Sequence, residues 1–300
     1  MHKGIYGFSA GAGNATFEGS YVSVSRYVMK HELKYRLGEL KPDSESLFAS
    51  SKPLPPPAVT YTISARGKAP GTPVLRFLKE KYGYLPLREI DSLFGFVEES
   101  TLYGGREFQG RELSDRDAQQ LINGGIGIRL PMSNHHVSRE EYEANFPLLK
   151  KYCHLGNSII VTNDQLAKWL RKDFPDYRLD ASVIKNIKTY DKIERAFELY
   201  DSVVLPMQLN KDLEFLEKIR NKDKITLFAN AGCALSCPSK LCYLSFSQMN
   251  KGNGGDFNCA MMYKEREVIG MVDFLLKPYV DLGFHRFKLL RPNPTGLTGF

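Results

Sequence analysis

Eight short apolar runs, separated for the most part by amphipathic stretches, restrict what this chain can fold into. They are AVTYTIS (58–64), LFGFVE (93–98), GIGIRLP (125–131), NSIIVTN (157–163), YRLDASVI (177–184), DSVVLPM (201–207), ITLFAN (225–230) and FHRFKLL (284–290). Each has the length of a β-strand, and several are rich in β-branched and aromatic residues. Helical periodicity falls between them, over 72–82, 138–152, 164–173, 189–200, 210–221 and 265–282. Ile193, Ala196, Phe197 and Tyr200 share one face of such a segment, and Asp164 and Asn210 stand at expected helix N-caps. The connection 99–124 has no clear assignment. Eight such units within about 230 residues fit a closed (β/α)8 TIM-type barrel better than an open doubly wound sheet.

Residues 1–57 have a different character. They are rich in Gly, Ser and aromatics, GAGNATFEGS reads as loop, and the stretch ends in Lys52-Pro-Leu-Pro-Pro-Pro57, a stiff extended connector. The expected organisation is therefore an irregular N-terminal extension over 1–57 and a barrel catalytic domain over 58–300. No apolar run has the length of a signal sequence or a membrane span, which points to the cytoplasm. The balance of 41 basic against 34 acidic residues leaves a net charge of +7, suited to RNA or an anionic small molecule without demanding either.

A barrel of this kind gathers the residues that follow its strands at one rim, where barrel enzymes do their chemistry. Asn230, His135, Lys288 and Arg291 are the candidates there for contact with substrate. Histidine titrates near neutrality, and cations closing the last strand can hold a phosphate or carboxylate. For His135 a plainer reading competes: in SNHHVSREE, Ser138 and Glu141 form a capping box and the histidines are loop residues. Tyr103-Gly-Gly-Arg106 could shape an anion nest or be a simple flexible loop.

The densest chemical signal is cysteine. Four of five, Cys233, Cys237, Cys242 and Cys259, fall within one short segment after the seventh run, while Cys153 stands alone as a small hydrophobe. In a reducing compartment such crowding points to metal before disulfide. The spacing lacks the tight two-residue knuckles of structural zinc and suits an iron–sulfur cluster, most simply 4Fe-4S; zinc and plain buried thiols are the alternatives. It does not match the three-cysteine spacing of a radical S-adenosylmethionine site. No serine elbow, HExxH or paired carboxylate motif is present.

Three segments carry a resemblance. FPDYRLDASVIKN, VVLPMQLNKDLEFLEKIRNKDKITLFANAGCALSCP and LKPYVDLGFHRFKLLRP occur in this order, within a resemblance that covers roughly residues 90–292. They resemble the strand endings, the Asn-Glu-Gly-Cys…Cys-Pro signature and the Phe-Lys-Ile-Glu-Gly-Arg element of the collagenase-like peptidases of unknown catalytic type (peptidase family U-32). The resemblance implies a barrel and either a peptidase or an iron–sulfur enzyme. The latter would hydroxylate an RNA base or a ring-shaped small molecule without molecular oxygen, and could pair with a related barrel chain. It implies Cys233 and Cys237 as cluster ligands; Cys242 and Cys259 join them by proximity and type. The family's glutamate is Ala231 here, and the last element reads Phe287-Lys-Leu-Leu-Arg-Pro292, so the family's mechanism does not carry over whole. A non-catalytic RNA- or partner-binding barrel with a structural metal is the third reading.

Overall fold

The structure is a computed structural model that describes residues 6–9, 14–17, 58–253, 257–261 and 271–292. Eight parallel strands close into a barrel: Thr60–Ser64, Ile90–Phe94, Gly127–Leu130, Ser158–Val161, Arg178–Ala181, Ser202–Val204, Ile225–Phe228 and Arg286–Leu289. The eighth strand pairs with both the seventh and the first, with Lys288 beside Thr62 on one side and Phe228 on the other. The (β/α)8 expectation is met, with local corrections. The second strand ends at Phe94, not at 98, because Phe96 and Val97 continue the apolar run as buried loop residues.

The helices follow their apolar stripes. Val74, Phe77, Leu78 and Tyr82 form the buried face of Val74–Tyr82. The predicted helix over 138–152 is broken at Asn145 into Arg139–Ala144 and Phe146–Lys151, the second carrying a proline in its first turn. The cap of Asp164–Asp173 is Asn163, one residue before the expected Asp164. Asp212, not Asn210, caps Leu213–Glu217; Asn210 is buried and donates to the Phe228 carbonyl at 2.8 Å. The segment predicted as helix over 265–282 contains a short strand, Val272–Asp273, and a helix only over Lys277–Asp281; residues 262–270 lie outside the described residues.

The unassigned connection 99–124 contains a helix, Asp115–Asn123, with a full capping box between Ser114 and Asp117. Ser114→Ala is expected to cost about 1 kcal/mol, the usual worth of such a cap, measurable as a shift in the denaturant midpoint at unchanged slope. At the N-terminus, Asn14–Phe17 pairs antiparallel with Tyr6–Ser9, so the stretch read as loop holds one strand of a hairpin. The proline-rich connector lies outside the described residues. Among the described residues no helix is long and apolar enough to cross a membrane.

The apolar side of the strands packs outward: Ile63, Leu93, Ile128, Ile159, Leu179, Val203, Leu227 and Phe287 belong to the main core. The lumen is polar. Arg129, on the third strand and fully buried, reaches Thr62 Oγ1 on the first strand at 2.6 Å and Ser158 Oγ on the fourth at 3.0 Å. Its guanidinium also lies 2.8 Å from the carboxylate of Asp180 on the fifth strand, equally buried. Ser202 donates to that carboxylate, and Arg178 pairs with Asp91 at 2.8 Å. Burial alone would raise Asp180; Arg129, Arg178 and Arg286 outweigh it and hold the carboxyl below its usual range. This charged layer is the floor on which the rim stands.

Candidate active site

Above the floor, at the C-terminal ends of the strands, lies a cavity of about 210 Å³. Phe94, Ile160, Phe228 and Lys288 line its base, Arg66, Arg106 and Arg291 its side, and Cys233, Cys237, Cys242 and Cys259 the loop that overhangs it. Lys240 and Tyr243 complete that loop wall. Its described lining contains five basic side chains and no aspartate, glutamate or histidine.

Each cation is held differently. Arg106 pairs with Glu112, and its guanidinium lies 3.9 Å above the Phe96 ring. Glu112 also accepts from the Phe96 amide at 2.9 Å, which ties the loop to the end of the second strand. Gly104 allows this loop its position, since a Cβ there would stand 2.3 Å from the Ser133 carbonyl oxygen. The Tyr103-Gly-Gly-Arg106 segment is thus a packed wall of the cavity. Arg66 follows the first strand and makes no ion pair among the described residues; burial, then the Arg291 and Arg106 charges, lower its guanidinium to about 10. Arg291 is placed through Asn230, whose side chain donates to the Arg291 carbonyl at 2.9 Å and accepts from the Leu290 amide at 2.8 Å.

Lys288 is the most constrained of the five. It is 7% exposed, with its ammonium 4.4 Å from the centre of the Phe94 ring and 6.0 Å from that of Phe228. Among the described residues its ammonium has no carboxylate ion pair and no hydrogen bond, while its carbonyl accepts from the Ala229 amide at 2.9 Å. Burial, then the Arg129 charge, lower its amine to about 7, with Asp180 opposing and Arg106 adding to the shift.

The cysteines sit on a long excursion between the seventh and eighth strands. Its neck is closed by an antiparallel ladder that pairs Asn230 with Asp273 and Ala231 with Val272. Cys233 opens a 3-10 turn, and Cys242 opens the helix Cys242–Met249, a helix the sequence reading did not separate from the cysteine cluster. The Cys237 sulfur accepts from the Lys240 amide at 3.2 Å, where Lys240 takes a left-handed backbone; the Cys259 sulfur accepts from the Met261 amide at 3.4 Å. None of the five cysteines forms a disulfide, and Cys153 packs against the core as expected. Burial and then the thiols of Cys259, Cys233 and Cys237 push Cys242 up to about 12.

By residue type these four are the donors that a thiolate-ligated metal takes. Four thiols share one cavity wall, two receive backbone N–H···S bonds of the kind that tune such sites, and burial with the neighbouring thiols opposes ionisation of Cys242. The four stand apart as thiols, however: no three His, Cys, Asp or Glu among the described residues are gathered as a metal-binding group.

The structure brings Lys288 and Arg291 into the cavity with the cysteines and gives Asn230 a positioning role behind Arg291. His135 is elsewhere. It lines a neighbouring groove, with its Nδ1 3.0 Å from Ser247 Oγ, and Asn134 donates to the Ser247 carbonyl at 2.8 Å. The Ser138–Glu141 capping box is present. His135 therefore fastens the Cys242–Met249 helix to the third strand's loop. Arg66 and Arg106 are cavity residues as well, and of these the sequence shows Arg106 only as part of a glycine-rich loop.

No family model and no curated protein matches the chain. The fold is similar to a solved structure of a U32 peptidase, with a TM-score of 0.54 over 79% of this chain and 93% of that one, at 14% sequence identity. At that identity the likeness concerns the fold: this chain has a U32-like barrel.

Proposed function

We propose that this chain is a barrel enzyme of the reducing cytoplasm that modifies an anionic, ring-bearing substrate, an RNA base or a small molecule. In this reading Cys233, Cys237, Cys242 and Cys259 hold an iron–sulfur cluster over the barrel mouth. The observation that carries the proposal is the composition of one cavity: four thiols and five cations, with no carboxylate or imidazole in its described lining. When bound, a cluster would supply electron transfer or a Lewis-acidic iron. The chain's own residues do the rest. Arg66, Arg106 and Arg291 attract and orient the negative group, Phe94 and Phe228 give a planar ring an apolar seat, and the overhanging loop limits water. The volume suits a single ring better than a peptide segment, since drug-sized ligands already need roughly 300 Å³ or more.

The named activity of the structural neighbour favours a second reading, a peptidase. Hydrolysis needs a group to activate water, and the base titrating near neutrality in this cavity is Lys288.

Anaerobic purification separates the two. About four iron per chain, the complement of one four-thiolate cluster, is expected from the native protein. The iron should be lost in the Cys233→Ala/Cys237→Ala variant while its far-ultraviolet circular dichroism is kept. A colourless protein holding one zinc, or peptide cleavage that persists in that variant and stops in Lys288→Met, would overturn the cluster reading.

A further inference from the structure

Lys288 lies on the eighth strand and Arg66 just beyond the end of the adjoining first strand, both line one cavity, and neither is paired with a carboxylate among the described residues. A buried lysine ammonium ordinarily has a carboxylate beside it, because leaving the charge unpaired costs several kcal/mol. Here the neighbours are two phenyl rings and a fully buried guanidinium, Arg129, which is itself neutralised by Asp180. The described charged groups acting on the amine are Arg129 and Asp180 from the lumen and Arg106 from the second strand's loop. The surroundings are those of an amine nucleophile: apolar, cationic on balance, and open on one side to a ligand-sized space.

We propose that Lys288 forms an imine with the carbonyl carbon of an oxo acid whose anionic group is held by Arg66. The lysine nitrogen adds its lone pair to the carbonyl carbon as the C=O π pair moves to oxygen. A proton passes from nitrogen to that oxygen to give a carbinolamine. The hydroxyl then leaves as water with the proton that the ammonium gave up before attack, and the nitrogen lone pair closes the protonated imine. The sum is one ammonium and one carbonyl giving one iminium and one water, with no change of oxidation state. The iminium withdraws electrons from the adjoining carbon, so the chemistry opened is addition, exchange or bond cleavage next to a carbonyl. This activity goes beyond the cluster reading and uses none of the cysteines.

With an amine titrating at about 7, roughly half of the Lys288 side chains are neutral at pH 7, against about one in 2,500 for an ordinary lysine. The full chain is incubated with pyruvate and sodium cyanoborohydride at pH 7, and the reduced adducts are mapped by peptide mass spectrometry. The adduct is expected on Lys288 at least about tenfold faster than on any other lysine, with a rate that levels off above pH 7 to 8 rather than climbing towards 10. Mapping in the native protein needs no variant and so is not confounded by misfolding.

Arg66→Gln is expected to require roughly tenfold more pyruvate, the loss of one charge-assisted contact, while labelling by the uncharged carbonyl acetaldehyde is unchanged. Label spread evenly over the surface lysines, or Lys288 left unlabelled, overturns the imine. Equal loss with both carbonyls in Arg66→Gln overturns the anion role. Labelling that survives in Cys233→Ala/Cys237→Ala leaves this inference standing whatever the fate of the cluster. Iron bound without labelling does the reverse.

Discussion

Replacing Lys288 by methionine is expected to stabilise the barrel, and to do so most at low pH. The amine is lowered to about 7 in the folded chain and lies near 10.4 in an unfolded one. Below pH 7 both states are protonated, and the folded state bears the full penalty of a charge buried against Phe94 and Phe228. Between pH 7 and about 10.5 the unfolded chain holds the proton that the folded chain has released, so stability rises with pH across that window. Above it both are neutral and the penalty is gone. The separation between the two values corresponds to about 4–5 kcal/mol. The difference in unfolding free energy between Lys288→Met and the native chain should therefore be largest at pH 6 and shrink towards zero by pH 10.5. Urea titrations at a series of pH values measure it, and because other groups titrate alike in both proteins their contributions cancel. A pH-independent difference would show that the amine is not depressed.

The second large effect concerns the lumen. Arg129→Met removes the guanidinium that faces Asp180 at 2.8 Å and contacts Thr62 and Ser158, and it leaves a carboxylate with no exposure to water. Breaking a buried pair from one side typically costs about 3–5 kcal/mol. Replacing both partners costs much less, because neither charge is then stranded. Arg129→Met/Asp180→Leu is expected to regain most of the loss, short of full recovery since Arg178 and Ser202 also contact Asp180. A denaturant double-mutant cycle gives the coupling directly. If the double variant were no more stable than Arg129→Met alone, Arg129 would be stabilising the lumen by packing and not by charge.

The architecture was legible because the strand runs are apolar on the face that meets the helices, and that face sets the period. The lumen was not legible. Arg129, Arg178, Asp180 and Lys288 alternate with apolar neighbours as solvent-facing residues do, and a linear sequence does not distinguish the inside of a barrel from water. Only the closure that lets Arg129 reach from the third strand to the first and fifth makes the difference visible. The Asp115–Asn123 helix had a readable signal in Ser114 and Asp117, a Ser-x-x-Asp start followed by the buried Ala118 and Leu121. It was hidden by the glycines just before it. Strand counting put the cysteine loop, Lys288 and Arg291 at the C-terminal rim, and the structure has them lining one cavity there. His135 looked equivalent by position, but its contact with Ser247, 112 residues later in the chain, is a tertiary fact without local signature.

The ladder between Asn230–Ala231 and Val272–Asp273 has a bearing on the order in which the molecule is made. It closes the neck of the excursion on the barrel side, so the eighth strand can find the seventh and first regardless of what the chain beyond the neck is doing. Lengthening a loop adds little to the entropy of closing it, only about 0.6 kcal/mol for each doubling. The cysteine loop is thus gripped twice, at its neck by the ladder and at its helix by the Asn134, His135 and Glu141 contacts with Ser247 and Lys251, so both grips must give way before it leaves the barrel mouth.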